Sequence, residues 1–270
     1  MQRRQFLAAS IATSAAAALA GSAAAQAPAD ASSSASRREF YQLRRYSLKS
    51  GPQLKLTEGY FAEALIPALT RMGMGPIGAF SVTFGPETPA YYLLIPGSSL
   101  ELQTQLDLRL AQDASFLKLA DPFWNATAAA PAFQRVESSL LAAFEGWPKL
   151  TLPASSATND KRIFQLRIYE SPSNGEHVRK VQMFHSGEFE IFKAAGFHPV
   201  FFGDTQIGAR MPNLHYMLAF KDMAELEAQW DVFRADPAWK KLSADPRFSF
   251  DNIVDNITNL VLAPLPCSQI

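Results

Sequence analysis

Apolar and polar residues alternate in two short stretches of the chain, 123 positions apart, broken only at Arg45. In Phe164-Gln165-Leu166-Arg167-Ile168-Tyr169 the apolar positions fall on every second residue, which predicts a two-faced strand. Tyr41-Gln42-Leu43-Arg44-Arg45-Tyr46 repeats that pattern. After each strand the apolar period lengthens to that of a helix. Phe61, Leu65, Ala68, Leu69 and Met72 predict a helix over about Gln53–Met72. In the second stretch Ser173-x-x-Glu176 forms a capping box. The helix it opens carries Val181, Phe184, Glu188, Phe192 and Ala195 on one face. Gly73 and Gly196 are natural helix stops. Two strands come next in each half: Ile77–Phe84 then Ala90–Ile95, and Pro199–Phe202 then Leu214–Phe220. Capping boxes at Ser98-x-x-Glu101 and Asp222-x-x-Glu225 open second helices, and last strands follow near Phe133–Phe144 and Ile253–Leu262. Gly85-Pro86 and Gly203-Asp204 read as turns after strands.

The two halves are copies of each other. At the offset of 123, Phe61 falls on Phe184, Gly73 on Gly196, Pro76 on Pro199, Asp113 on Asp236, Phe116 on Trp239 and Leu119 on Leu242. Tyr92-Leu93 meets Tyr216-Met217 after a slip of one residue. A first repeat is expected over 39–150, a Pro/Ser-rich linker over 151–160 and a second repeat over 161–266. Each reads β-α-β-β-α-β, the ferredoxin-like unit of an α+β protein. One such unit leaves a sheet face without helices, and two can press those faces together into an α/β barrel.

Ahead of the repeats the chain begins Met1-Gln2-Arg3-Arg4-Gln5-Phe6-Leu7, and an Ala-rich stretch runs to Ala25. A basic start, an apolar middle and small residues at a cleavage site predict a signal peptide over 1–25. The arginine pair points to twin-arginine export, hence to a periplasmic or secreted protein. Ser10, Thr13, Ser14, Gly21 and Ser22 interrupt the run, which argues against a stable membrane anchor. Residues 26–38 read as a flexible tether.

Composition narrows the function classes. Lys+Arg and Asp+Glu both number 25, and without Arg3 and Arg4 the balance is 23 basic to 25 acidic. There is no basic surplus for nucleic acid. The single cysteine, Cys267, excludes an intrachain disulfide and leaves either a free thiol or a link between two chains. No H-x-x-x-H or H-E-x-x-H spacing marks a metal site.

The first strand of the second copy, Ala195-Gly196-Phe197, His215-Tyr216-Met217-Leu218 and Asp236-Pro237-Ala238-Trp239 together resemble the NIPSNAP family of the dimeric α/β-barrel superfamily. The first copy diverges, with Asp113-Ala114-Ser115-Phe116 where Asp-Pro-x-Trp is expected. The resemblance implies the fold and a homodimer, and carries over no catalytic residues. Relatives in the wider superfamily bind or degrade haem, which would make His185 or His215 the ligand here, although no C-x-x-C-H attachment motif is present. The cofactor is left unknown.

Two constellations are candidates for chemistry. Gln42, Arg44 and Tyr46, with Gln165, Arg167 and Tyr169, are expected to face the barrel interior, while Phe164, Leu166 and Ile168 pack on the helices. Polar groups so placed either bond one another or hold a ligand, and arginine suits an anion. The second constellation is His185 with Glu188, three residues apart on a helix and matching Ala62 and Leu65 in the first copy. Such a couple could act as a general acid and base. The sequence favours an exported protein that binds a small apolar or anionic molecule in its barrel. The alternatives are a cofactor-independent oxygenase or isomerase using His185 and Glu188, and an assembly partner of a periplasmic protein.

Overall fold

The structure, a computed structural model, describes residues 38–158 and 160–270. The expected signal peptide and all but the end of the tether lie outside the described residues. No helix among the described residues is long and apolar enough to cross a membrane.

The first half contains β1 (Phe40–Ser47), helix α1 (residues 52–71), β2 (Gly78–Phe84), β3 (Ala90–Gly97), α2 (Leu100–Leu110), α3 (Ala114–Trp124) and β4 (Arg135–Ala143). A short helix α4 (Ala154–Thr158) follows. The second half contains β5 (Ile163–Glu170), α5 (residues 174–194), β6 (His198–Ile207), β7 (Asn213–Phe220), α6 (Met223–Ala235), α7 (Pro237–Ser243), α8 (Phe250–Ile253) and β8 (Asn256–Pro264). The expected β-α-β-β-α-β order holds in both halves. Their second helical segments are each broken in two: Asp113 and Asp236 cap the later pieces through their side chains. In the first half the cap of α2 is Ser99 rather than Ser98.

The eight strands close one antiparallel barrel in the order β1-β3-β2-β8-β5-β7-β6-β4. The halves join along β2–β8 and β4–β6, so they satisfy each other's sheet edges within a single chain. Register also corrects the expected slip. Arg44 pairs across from Leu93 and Arg167 from Tyr216, so the offset of 123 runs on unbroken and Leu93, not Tyr92, is the counterpart of Tyr216. Equally, Gly203-Asp204 is not a turn; β6 continues through it to Ile207.

The two strand faces are the reverse of those expected. Phe164 and Leu166 point into the barrel with Tyr41, Leu43, Phe80, Leu94, Phe201 and Leu262, all buried. Gln42, Arg44, Tyr46, Gln165, Arg167 and Tyr169 point outward, beneath the helices. The reason is hydrogen bonding. The interior is walled by sheet alone, whose backbone groups are already paired, so it offers few partners to polar side chains. The helices supply them: Gln42 donates to the Gln103 carbonyl at 3.2 Å, Arg44 to Asp107 at 2.8 Å, and Gln165 accepts from Trp230 at 2.7 Å. The interior is therefore filled. Even at Gly203 an added Cβ would lie 3.0 Å from Leu141.

Candidate functional site

A helical defect marks each half. α1 and α5 each contain a π-helical turn, at Tyr60–Leu65 and at Phe184–Glu188. The second also holds Gly187 at φ 132°, a backbone that other residues rarely adopt. A π turn carries more residues per turn than an α turn and so shifts every side chain after it. His185 and Glu188 consequently do not meet. Glu188 turns inward and binds Lys180 at 2.8 Å, with both side chains almost wholly buried. His185 turns outward. Its Nε2 accepts the Gly146 backbone N–H at 3.1 Å, and its Nδ1–H donates to the Val181 carbonyl at 2.9 Å. With both ring nitrogens engaged, His185 is not a free base.

Lys180 and Glu188 lie in a buried polar cluster under α5. The Lys180 ammonium sits 5.3 Å from the Tyr169 ring centre and 4.4 Å from that of Phe184. Burial lowers its pKa, and the Glu188 charge opposes that shift. Tyr216 donates to the Tyr169 hydroxyl at 2.9 Å, and burial raises the pKa of both phenols. The first copy has Thr57 and Leu65 at the positions of Lys180 and Glu188, so the ion pair belongs to the second copy alone.

On the outer side of the same helix lies a cleft of about 640 Å³, within the range that small-molecule sites occupy. It straddles the β4–β6 seam, so both halves build it. Ala143, Phe144, Val181 and Phe248 give it apolar wall, and His185, Ser186 and Asp204 give it polar wall. Asp204 projects from β6 and is held from behind by His177 of α5, whose Nε2 lies 2.7 Å from Oδ1. The two arginines of the cleft are occupied: Arg247 grips Asp245 at 2.7 Å and Arg38 lies 3.7 Å from Glu145. Among the described residues, Asp204 is thus the cleft carboxylate with no arginine partner. At the offset of 123, His177 and Asp204 replace Leu54 and Ser81. A second cavity of about 560 Å³ adjoins it across Ser186, Arg247 and Phe248.

His215 lies elsewhere. It points into one end of the barrel, where its Nδ1 meets Thr205 Oγ1 at 3.0 Å, and Thr205 in turn donates to Asn213 at 2.6 Å. Burial, helped by the nearby Arg210 charge, pushes its pKa down to about 3. Neither candidate histidine suits haem, since His185 has no free nitrogen and His215 is enclosed by packed side chains. Among the described residues no three His, Cys, Asp or Glu side chains gather as a metal site.

The structure brings Gln165, Arg167, Tyr169 and Glu188 together, and places Gln42, Arg44 and Tyr46 in the matching position of the first half. It separates His185 and His215 from both groups. Sequence reasoning missed Lys180, His177 and Asp204. Each was visible as a polar residue opposite Thr57, Leu54 or Ser81, once the offset was applied to every position.

Comparison with known proteins places this arrangement. Residues 164–269 match the NIPSNAP family model. No curated protein matches the chain. Among solved structures, a candidate monooxygenase of Fusobacterium nucleatum is similar, with a TM-score of 0.56 at 9% identity, covering 85% of this chain and 94% of the other. A second, from Lactobacillus acidophilus, has a TM-score of 0.52 at 10% identity and covers 84% and 94%. An anthrone oxidase-like protein has a TM-score of 0.50 at 12% identity and covers 86% and 93%. At such identities the likeness is one of fold. Residues 164–269 are therefore similar to the NIPSNAP family, and the chain shares its barrel fold with these proteins.

Proposed function

We propose that this is an exported binding protein for a small apolar molecule with a hydrogen-bond donor, taken up in the seam cleft. The first copy is then a diverged NIPSNAP-like repeat that completes the barrel and supplies one wall. The observation that carries this reading is Asp204, a carboxylate held by His177 at 2.7 Å and facing a cleft with aromatic walls. A carboxylate accepts hydrogen bonds, and an apolar ligand body would lie against Phe144 and Phe248. The export reading rests on Arg3, Arg4 and the Ala-rich stretch behind them. Among the described residues the expected homodimer has no strand edge to use, because their eight strands are paired within the chain. It would form through helices or loops.

Ligand-observed NMR with phenols and their methyl ethers tests the reading. Phenols should bind, and the ethers, which lack the donor, should bind at least tenfold more weakly. Equal binding of both would remove Asp204 from recognition.

A further inference from the structure

The two copies treat one arginine differently. In the first, Arg44 is satisfied twice: Nη2 binds Asp107 at 2.8 Å and Nε donates to Gln42 Oε1 at 2.5 Å. In the second, the counterpart of Asp107 is Trp230. That replacement removes both partners. The acid is gone, and the indole N–H of Trp230 takes the oxygen of Gln165, the residue equivalent to Gln42, at 2.7 Å. Arg167 is left with a buried Nε that has no hydrogen-bond partner among the described residues. Among the described residues no carboxylate comes within salt-bridge distance of it.

Aromatic rings now surround the guanidinium. Its carbon lies 4.4 Å from the Trp230 ring centre, 5.1 Å from Tyr169 and 5.8 Å from Tyr216. Rings stabilise the positive charge, yet they are far weaker acceptors for its N–H groups than a carboxylate oxygen. A guanidinium whose Nε–H is buried and unpaired is expensive, and an anion would relieve that expense. The local charge agrees: Lys180 and Glu188 cancel, so Arg167 leaves the cluster at +1. The site can be reached. Arg167 is more exposed than Arg44, and Asn259, directly across from it on β8, is open to solvent.

We infer that Arg167 is the binding residue for a small carboxylate, which would supply at the open edge of the guanidinium the negative partner that Asp107 supplies to Arg44. The fork of N–H groups matches two carboxylate oxygens in one plane, a fit that lysine cannot reproduce. The inference is independent of the seam cleft, which lies on the other side of α5.

The test uses the ¹⁵N-labelled full chain and the arginine Nε–Hε resonances. Sodium benzoate is titrated against sodium chloride at equal ionic strength, with benzamide as the neutral control. Contacts from Hε to the Trp230 indole identify the Arg167 signal in the wild type without a variant. That signal should move and saturate with benzoate but not with benzamide. R167K should bind benzoate at least tenfold more weakly, and W230D, which restores the acid of the first copy, should lose the response. An Arg167 signal that ignores benzoate, or follows benzamide equally, overturns the inference. So does undiminished benzoate binding in a folded R167K or W230D.

Discussion

Removing Lys180 should do more damage than removing the whole ion pair. The pair is 2.8 Å long and its side chains are 1% and 3% exposed, so neither charge can turn to water. In K180M the Glu188 carboxylate stays buried without its partner, a loss of about 3–5 kcal/mol. At about 2–4 °C per kcal/mol for a chain of this size, Tm should fall by roughly 10 °C. Replacing both residues, in K180M/E188L, removes the stranded charge and should return stability to wild type or raise it by about 1–4 kcal/mol. The pH dependence gives a second handle. An unpaired buried Glu has a folded pKa raised above its unfolded value near 4.3, so the K180M protein should be most stable below that pH. It should then lose up to about 1.4 kcal/mol per pH unit until the folded pKa is passed. Urea melts of the four proteins of the cycle between pH 4 and pH 8 read both effects. A K180M penalty under about 1 kcal/mol, or one that does not grow with pH, would refute the burial argument.

Other outcomes follow from the same structure. His215 is buried with its pKa lowered to about 3, so between pH 6.5 and 3 the unfolded chain binds a proton that the folded chain refuses. That contribution is fully present above pH 6.5 and should fall by up to about 1.4 kcal/mol per unit below it, a slope that H215Q should flatten relative to wild type in acid unfolding curves. Gly187 has no atom within 4 Å of an added Cβ but sits at φ +132°, so G187A should lose stability through the backbone alone, by about 1–3 kcal/mol in chemical denaturation. D107A leaves the buried Arg44 with Gln42 as its only partner, and should lower the urea midpoint more than R45A, which removes a more exposed arginine from Glu87 and Glu137.

The repeat made most of the fold legible. Period-2 stretches, capping boxes at Ser173 and Asp222, and glycines at Gly73 and Gly196 mark element type and order because each reflects local backbone chemistry. The facing of the strands was not legible. In Phe164–Tyr169 one face is apolar and the other polar, but which one meets the helices depends on partners such as Asp107 and Trp230, distant in sequence. The His185–Glu188 pairing failed for a local reason: spacing arguments assume 3.6 residues per turn, and the π turn at Phe184–Glu188 breaks that assumption. Lys180 escaped notice because a lysine on a helix is ordinarily solvated. Only its match to the buried Thr57 signals otherwise.

Native mass spectrometry of the chain with a bound phenol, for the wild type and for H177L/D204S, tests the central claim most directly. That variant installs the residues of the first copy, Leu54 and Ser81, in the seam cleft. The account predicts a one-to-one adduct on the wild type and its loss from a variant that keeps its fold by circular dichroism. An adduct that survives in H177L/D204S, or a wild-type chain that takes up no phenol at millimolar concentration, would contradict it.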